Sequence, residues 1–265
     1  MADADSRSTY PTKEPLLEEY YRIVESAERR NVLLRVMGSI AFRIHCPNFS
    51  YLAERMERKL TDIDFASYTK ESGKVDDLLR DLGYTTQSYV QLAVATMGRS
   101  IYWNKDRPSM HVDVFWDRLS MNHTVDFKNR LENDKPTIPL PELLQEKFQI
   151  VNINLKDVKD VIMLIREHDV SEGETGSEVI DMPGIIKVLS NDWGYCYTFT
   201  ENIKKVMHLL SQFETLSEED RHIVSTRLSK MLNAIESAPK SYKWKLRAKI
   251  GTGRIWYAEV SEVSR

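Results

Sequence analysis

This 265-residue chain predicts an α/β fold of the α+β kind, a small mixed sheet followed by a helical C-terminal half. Three observations carry that expectation. Short β-type runs alternate with amphipathic helical runs up to about residue 138, and from Pro139 onward the pattern is almost wholly helical. The 42% of hydrophobic residues suffices for a sizeable core. The change of texture divides the chain into a sheet-containing part, 1–138, and a mainly helical part, 139–265, that ends in a basic segment.

Each element has a local reason. In PLLEEYYRIVESAERRN the apolar residues Leu16, Leu17, Tyr20, Ile23, Val24 and Ala27 form one stripe, so a helix runs to about Arg30. NVLLRVMGS is a continuous apolar run closed by Gly38-Ser39 and reads as a buried strand that delivers a tight turn. IAFRIHCPNFSYLAERMERK is helical, with a break near Pro47. LTDIDFASY is the second strand, and SGKVDDLLRDLGY is a helix stopped at Gly83. RSIYWNK and SMHVDVFWD, separated by DRP, form an antiparallel hairpin. The second half opens with proline in the first turn of PLPELLQEKFQIV and continues through NLKDVKDVIMLIREHDV. Further helices are expected at about 178–190, 200–212 and 217–237, and SEGETGSE (171–178) is read as a linker or mobile loop.

The bulk numbers exclude several classes. A net charge of −3 gives no whole-protein attraction to nucleic acid or an anionic bilayer, so any such binding must come from a local patch. Cys46 and Cys196 are the only cysteines and form no CxxC, which argues against a disulfide framework and a zinc site and suits a reducing cytoplasm. No apolar run approaches the roughly 18–20 residues that a membrane span needs, and the polar start does not read as a signal peptide. A cytoplasmic protein with no membrane partner is expected.

KLTDIDFASY raises the chemical question. Ile63 and Phe65 point to one side of the strand, Asp62 and Asp64 to the other. Two like charges on one face cost stability unless a cation, hydrogen bonds or water compensates them. A third acid, Asp113, lies on the later strand MHVDVFW, so all three can converge at one end of a sheet. Such hard oxygen ligands suit Mg²⁺, which takes one or two carboxylates together with substrate oxygens. Gly38 lets the backbone pass close to a polyphosphate, Ser39 adds a hydroxyl, and the N-terminus of the following helix favours anions.

The ordered set Gly38-Ser39, Asp62-x-Asp64 and Asp113 resembles the nucleotidyltransferases of the DNA polymerase β type. The resemblance implies a small mixed-sheet catalytic domain over 1–138, two Mg²⁺ ions and a nucleoside triphosphate such as ATP as substrate. It implies transfer of a nucleoside monophosphate to an acceptor hydroxyl on an RNA end, a protein or a small molecule. Asp62 and Asp64 would hold both ions, and Asp113 would hold one and help deprotonate the attacking oxygen. The order of parts is also similar to minimal bacterial nucleotidyltransferases, particularly the abortive-infection and toxin-antitoxin branch. There a lysine and a basic-Asp-x-x-Asp element follow, matched here by Lys147 and by Lys156-Asp157-Val158-Lys159-Asp160. Lys147 would steady the triphosphate, and Asp157 and Asp160 would face the cleft one helical turn apart. The similarity spans about residues 32–165, and the 24 positions from Gly38 to Asp62 exceed the gap in the most compact members. The rival expectation is a non-catalytic nucleotide-binding or protein-interaction module that keeps this fold, with a homodimer or a cognate protein as partner.

Other residues read more plainly. His45 and Cys46 have no companions at ligand or nucleophile spacing and are assigned structural roles. His111 is read as facing the other side of its strand from Asp113, and Trp103, Trp116 and Trp193 as core or rim aromatics. Residues 240–254 carry Lys240, Lys243, Lys245, Arg247, Lys249 and Arg254. In KWKLRAKI these alternate with apolar residues, so a strand would present a cationic stripe able to bind RNA phosphates, or merely a solvated face.

Overall fold

The computed structural model describes residues 13–88, 98–107, 109–171, 173 and 178–260. Helix α1 (Lys13–Arg29) buries Leu16, Tyr20, Ile23, Val24 and Ala27, as its stripe requires. The chain then turns at Asn31, whose φ is +53°, and the Val32 N–H returns to the Ala27 carbonyl at 2.9 Å. This helix ending consumes the start of NVLLRVMGS, so strand β1 is only Arg35–Met37. Helices α2 (Gly38–His45) and α3 (Tyr51–Arg55) follow, separated at Pro47 as expected.

Strand β2 (Ile63–Ser67) and α4 (Ser72–Asp81) come next, and Gly83 takes a φ of +87° just beyond the helix. Strands β3 (Tyr84–Thr85), β4 (Arg99–Asn104) and β5 (His111–Trp116) complete a five-stranded sheet of order β1-β2-β5-β4-β3. The β4–β5 hairpin is antiparallel, as is β1–β2, whereas β2 and β5 run parallel, so the sheet is mixed. Alternation gives its faces different chemistry. Val36, Ile63, Phe65, Val112 and Val114, all fully buried, share one face, and the Tyr20 ring of α1 lies over Phe65 at 6.5 Å between centroids. The other face carries Asp64, Asp113, Arg99 and Phe115.

A small hairpin, β6 (Arg118–Ser120) and β7 (Thr124–Asp126), leads to the helical half. The boundary expected at 138/139 falls at the N-cap of α5 (Leu140–Phe148), which Pro139 occupies. Then come α6 (Leu155–Glu167), the parallel ribbon β8 (Asp169–Ser171) and β9 (Val179–Asp181), and α7 (Met182–Leu189). Most of 171–178 lies outside the described residues. Helix α8 (Trp193–Leu209) begins earlier than the expected 200, because Asp192 caps it by accepting from the Tyr195 N–H at 3.0 Å. In α9 (Glu218–Ser237) a capping box joins Ser217 and Asp220.

The basic segment is a helix, α10 (Tyr242–Ala248), not a strand. Ser241 caps it by accepting from the Trp244 N–H at 3.2 Å, a local signal that outweighs eight residues of alternation. One hydrophobic cluster runs from α1 to α9, and α2 touches both α5 and α6. Among the described residues no helix is long and apolar enough to cross a membrane.

Candidate active site

The site begins where β1 gives way to α2. Gly38 has a φ of +66°, a conformation that disfavours any residue with a Cβ. Space demands glycine as well, since a Cβ there would stand 2.6 Å from Asp64 Oδ2. The turn therefore presses directly against the middle carboxylate. The Gly38 N–H donates to Glu146 Oε2 at 2.9 Å, no side chain among the described residues caps α2, and Ser39 is buried.

Asp64 and Asp113 are register neighbours on the parallel strands β2 and β5, so their side chains leave the same face side by side. Asp113 is almost fully buried and ion-paired with the Arg99 guanidinium, which also lies over the Phe115 ring at 5.3 Å. Arg99 Nε is itself buried and has no hydrogen-bond partner among the described residues. Asp62 precedes β2 and stays a third exposed, at 33%; its Oδ2 accepts from Thr61 Oγ1 at 2.9 Å, and its Oδ1 lies 3.4 Å from His111 Nε2. The Asp64 pKa is pushed well above the usual carboxylate value, first by loss of solvent and then by the charges of Asp113, Asp62 and Glu146, with Arg99 opposing. The structure thus gathers Gly38, Ser39, Asp62, Asp64 and Asp113 around one end of the sheet, with more negative charge than the neighbouring cations offset.

His111 needs correction. Residues two apart on a strand share a face, and His111 lies on the same side as Asp113, close to Asp62. Strand parity alone would have found it.

Lys147 and Asp160 lie in a separate buried network behind the Gly38 turn. Lys147 Nζ stands 2.9 Å from Glu146 Oε1, 3.4 Å from Asp157 Oδ1 and 3.7 Å from Asp160 Oδ2. Burial alone would lower its pKa, but Glu146, Asp160 and Asp157 together raise it. Asp160, 1% exposed, accepts two hydrogen bonds from Arg58, at 2.9 and 2.8 Å. Sequence reasoning gave Lys147 to a triphosphate and put Asp157 and Asp160 on a cleft; in the structure all three are buried and face one another. Glu146 joins the two regions, touching both the Gly38 N–H and Lys147.

Glu146, Arg99 and Arg58 were not singled out from the sequence. Glu146 sits beside Lys147 in QEKF and looks like an ordinary helical charge; Arg99 and Arg58 owe their roles to partners 14 and 102 positions away. His45 serves structure, as expected: its Nε2 lies 2.7 Å from Thr137 Oγ1, and its carbonyl lies 2.7 Å from His168 Nε2.

The acids are flanked differently on their two sides. Toward β1 stands the glycine turn. At the other end of β2 and β5, past Arg99, an open groove of about 910 Å³ is lined by Trp116, by Lys70, Arg118 and Lys128, and by the carboxylates of Asp117, Asp126 and Glu132, and not by Asp62, Asp64 or Asp113. Among the described residues no three or more His, Cys, Asp or Glu side chains are placed so that they could hold a metal ion as they stand. Asp113 is turned to Arg99, and Asp62 to Thr61 and His111. The backbone positions and donor chemistry nonetheless fit a hard divalent cation: three carboxylates leave one sheet end, and the charge they share favours protonation of Asp64 until a cation relieves it. Comparison with protein-family models, with curated proteins and with solved structures finds no match for this chain.

Proposed function

We propose that the protein is a Mg²⁺-dependent nucleotidyltransferase that moves a nucleoside monophosphate from a nucleoside triphosphate to an acceptor hydroxyl. The observation that carries the reading is Asp64 and Asp113 side by side on parallel strands, with a positive-φ glycine pressed against Asp64. Asp62, Asp64 and Asp113 would hold the ions. Bound there, Mg²⁺ would lower the pKa of the nucleophile, clamp the reacting phosphate and neutralise the leaving pyrophosphate. The Gly38-Ser39 turn would face the triphosphate with backbone alone, and the dipole at the N-terminus of α2 would favour its charge. An acceptor held in the groove would reach the acids past Arg99, which lines the groove and pairs with Asp113. Asp113 takes the proton of the attacking hydroxyl as the new oxygen–phosphorus bond forms and pyrophosphate departs. Lys147 and Asp160 act at one remove, holding Glu146 and thereby the Gly38 turn.

The test is transfer of label from α-³²P-nucleoside triphosphates, with Mg²⁺, to RNA, to the protein itself and to small-molecule acceptors. Asp64→Asn should abolish it, and full turnover in that variant would sink the proposal. One observation favours the alternative of a non-catalytic nucleotide-binding module: Asp113 is already paired with Arg99. That reading predicts nucleotide binding without pyrophosphate release.

A further inference from the structure

Five of the nine large hydrophobic side chains exposed among the described residues fall in the last stretch of chain: Tyr242 at 77%, Leu246 at 45%, Ile250 at 46%, Ile255 at 67% and Val260 at 36%. The first three are spaced i, i+4, i+8 along α10 and the turn after it, so at about 100° per residue they form one outward stripe. The same geometry puts Lys243 on one border of the stripe and Lys245 and Lys249 on the other, all exposed. From Ser237 to Ala258 there are six basic residues and no acidic one.

This surface is held firmly. Trp244, on the opposite side of α10, packs against the hydrophobic core. The Arg247 guanidinium lies 4.8 Å above the Trp193 ring and donates to the Gly251 carbonyl at 2.7 Å. The Ser241 N–H bonds the Ser190 carbonyl at 3.0 Å, and Trp256 Nε1 donates to Thr198 Oγ1 at 3.0 Å. Beyond it, Asn122 and Ala258 exchange two hydrogen bonds of 2.9 Å, tying the tail to the β6–β7 hairpin. A pre-organised apolar stripe rimmed by like charge marks an interaction site, because ordering its groups costs binding little.

From this arrangement we infer that α10 and the segment after it dock an acidic amphipathic segment of a different protein. Charge complementarity selects that occupant. The lysine rim attracts carboxylates, while Tyr242, Leu246 and Ile250 need apolar partners at matching helical spacing. Phosphate contact would leave the aliphatic side chains exposed, which disfavours RNA as the principal ligand. An isologous dimer through this face would set two lysine rims against each other, which disfavours a second copy. The inference is independent of catalysis.

The probe is a fluorescein-labelled amphipathic peptide of about 21 residues, with Leu at the a and d positions of each heptad and Glu elsewhere. Its control is a scrambled peptide of the same composition. The whole chain should bind the amphipathic peptide and should bind the scrambled one about tenfold more weakly, as expected when a few anchors dominate. Leu246→Ser with Ile250→Ser, and separately Lys243→Gln, Lys245→Gln and Lys249→Gln together, should each weaken binding by about tenfold. These side chains are exposed, so circular dichroism should be unchanged. Equal affinity for the two peptides, or loss of binding in the lysine variant alone, would overturn the inference in favour of a simple polyanion site. Preferential binding to a single-stranded RNA of about 12 nucleotides, or to phosphatidylglycerol vesicles, would overturn it too, as would failure of the amphipathic peptide to bind.

Discussion

Two clusters of acidic side chains lie on either side of the Gly38 turn, and they solve the same electrostatic problem in opposite ways. Behind the turn, Asp157, Asp160 and Glu146 surround Lys147, and Arg58 pairs twice with Asp160. In front of it, Asp62, Asp64 and Asp113 share a sheet end where compensation is incomplete and the Asp64 pKa rises. Taking one partner out of a buried ion pair leaves the other charge desolvated and uncompensated. An under-compensated carboxylate is cheap to neutralise, and such groups cluster at functional sites. Residue type therefore does not tell the two clusters apart; the balance of charge around each residue does.

The sharpest way to break this contrast is Asp64→Asn. Removing a charge that its neighbours repel should leave the thermal midpoint unchanged or raise it, while nucleotide transfer falls by about a thousandfold or more. A clear loss of stability would place Asp64 with the scaffold. Asp160→Asn should do the reverse. It strands the Arg58 guanidinium in the interior, takes away the most distant of the three carboxylates around Lys147, and should cost about 3 kcal/mol or more in urea unfolding. A stable, inactive Asp160 variant would show that the rear network contacts substrate.

Gly38→Ala probes the seam between the clusters. An l-residue at φ +66° costs about 1–2 kcal/mol, and the added methyl would push against Asp64 Oδ2. Transfer should fall more steeply than stability, because the methyl fills the space nearest the acids. A fully active alanine variant would mean that close approach to Asp64 is unimportant.

Much of this arrangement was legible in local pattern. The stripe of α1, the break at Pro47 and the β4–β5 hairpin follow from periodicity and turn residues, and the acids stand out because like charges on one strand face are costly. What stayed hidden depends on tertiary pairing. Nothing local says that Glu146 will reach Gly38, 108 positions away, or that Arg58 will clasp Asp160. The same lack of context made KWKLRAKI ambiguous, since both periods fit and only the Ser241 cap decides. His111 was different, being lost to a parity error that two-residue spacing corrects.

The smallest expected effect separates the two halves by pH. His123, on the β6–β7 hairpin, stacks on Tyr195 of α8 at 4.9 Å, and its Nε2 lies 2.8 Å from Thr198 Oγ1. Burial pushes its pKa down to about 4. Below the ordinary histidine value of 6.5 the unfolded chain takes up a proton that the folded chain refuses, so stability falls as pH drops from 6.5 toward 4. Asp64 has the opposite sign. Its raised pKa lets the folded state take up its proton first, so this group favours folding on acidification and disfavours it as pH rises through the folded value. Between about pH 7 and about pH 5.5, His123→Gln should recover about 1 kcal/mol of lost stability, whereas Asp64→Asn should remove a gain. Denaturant titrations of the metal-free protein at the two pH values measure both. If both variants changed the pH slope in the same direction, the contrast between an under-compensated acid face and a neutral, hydrogen-bonded interior would not hold.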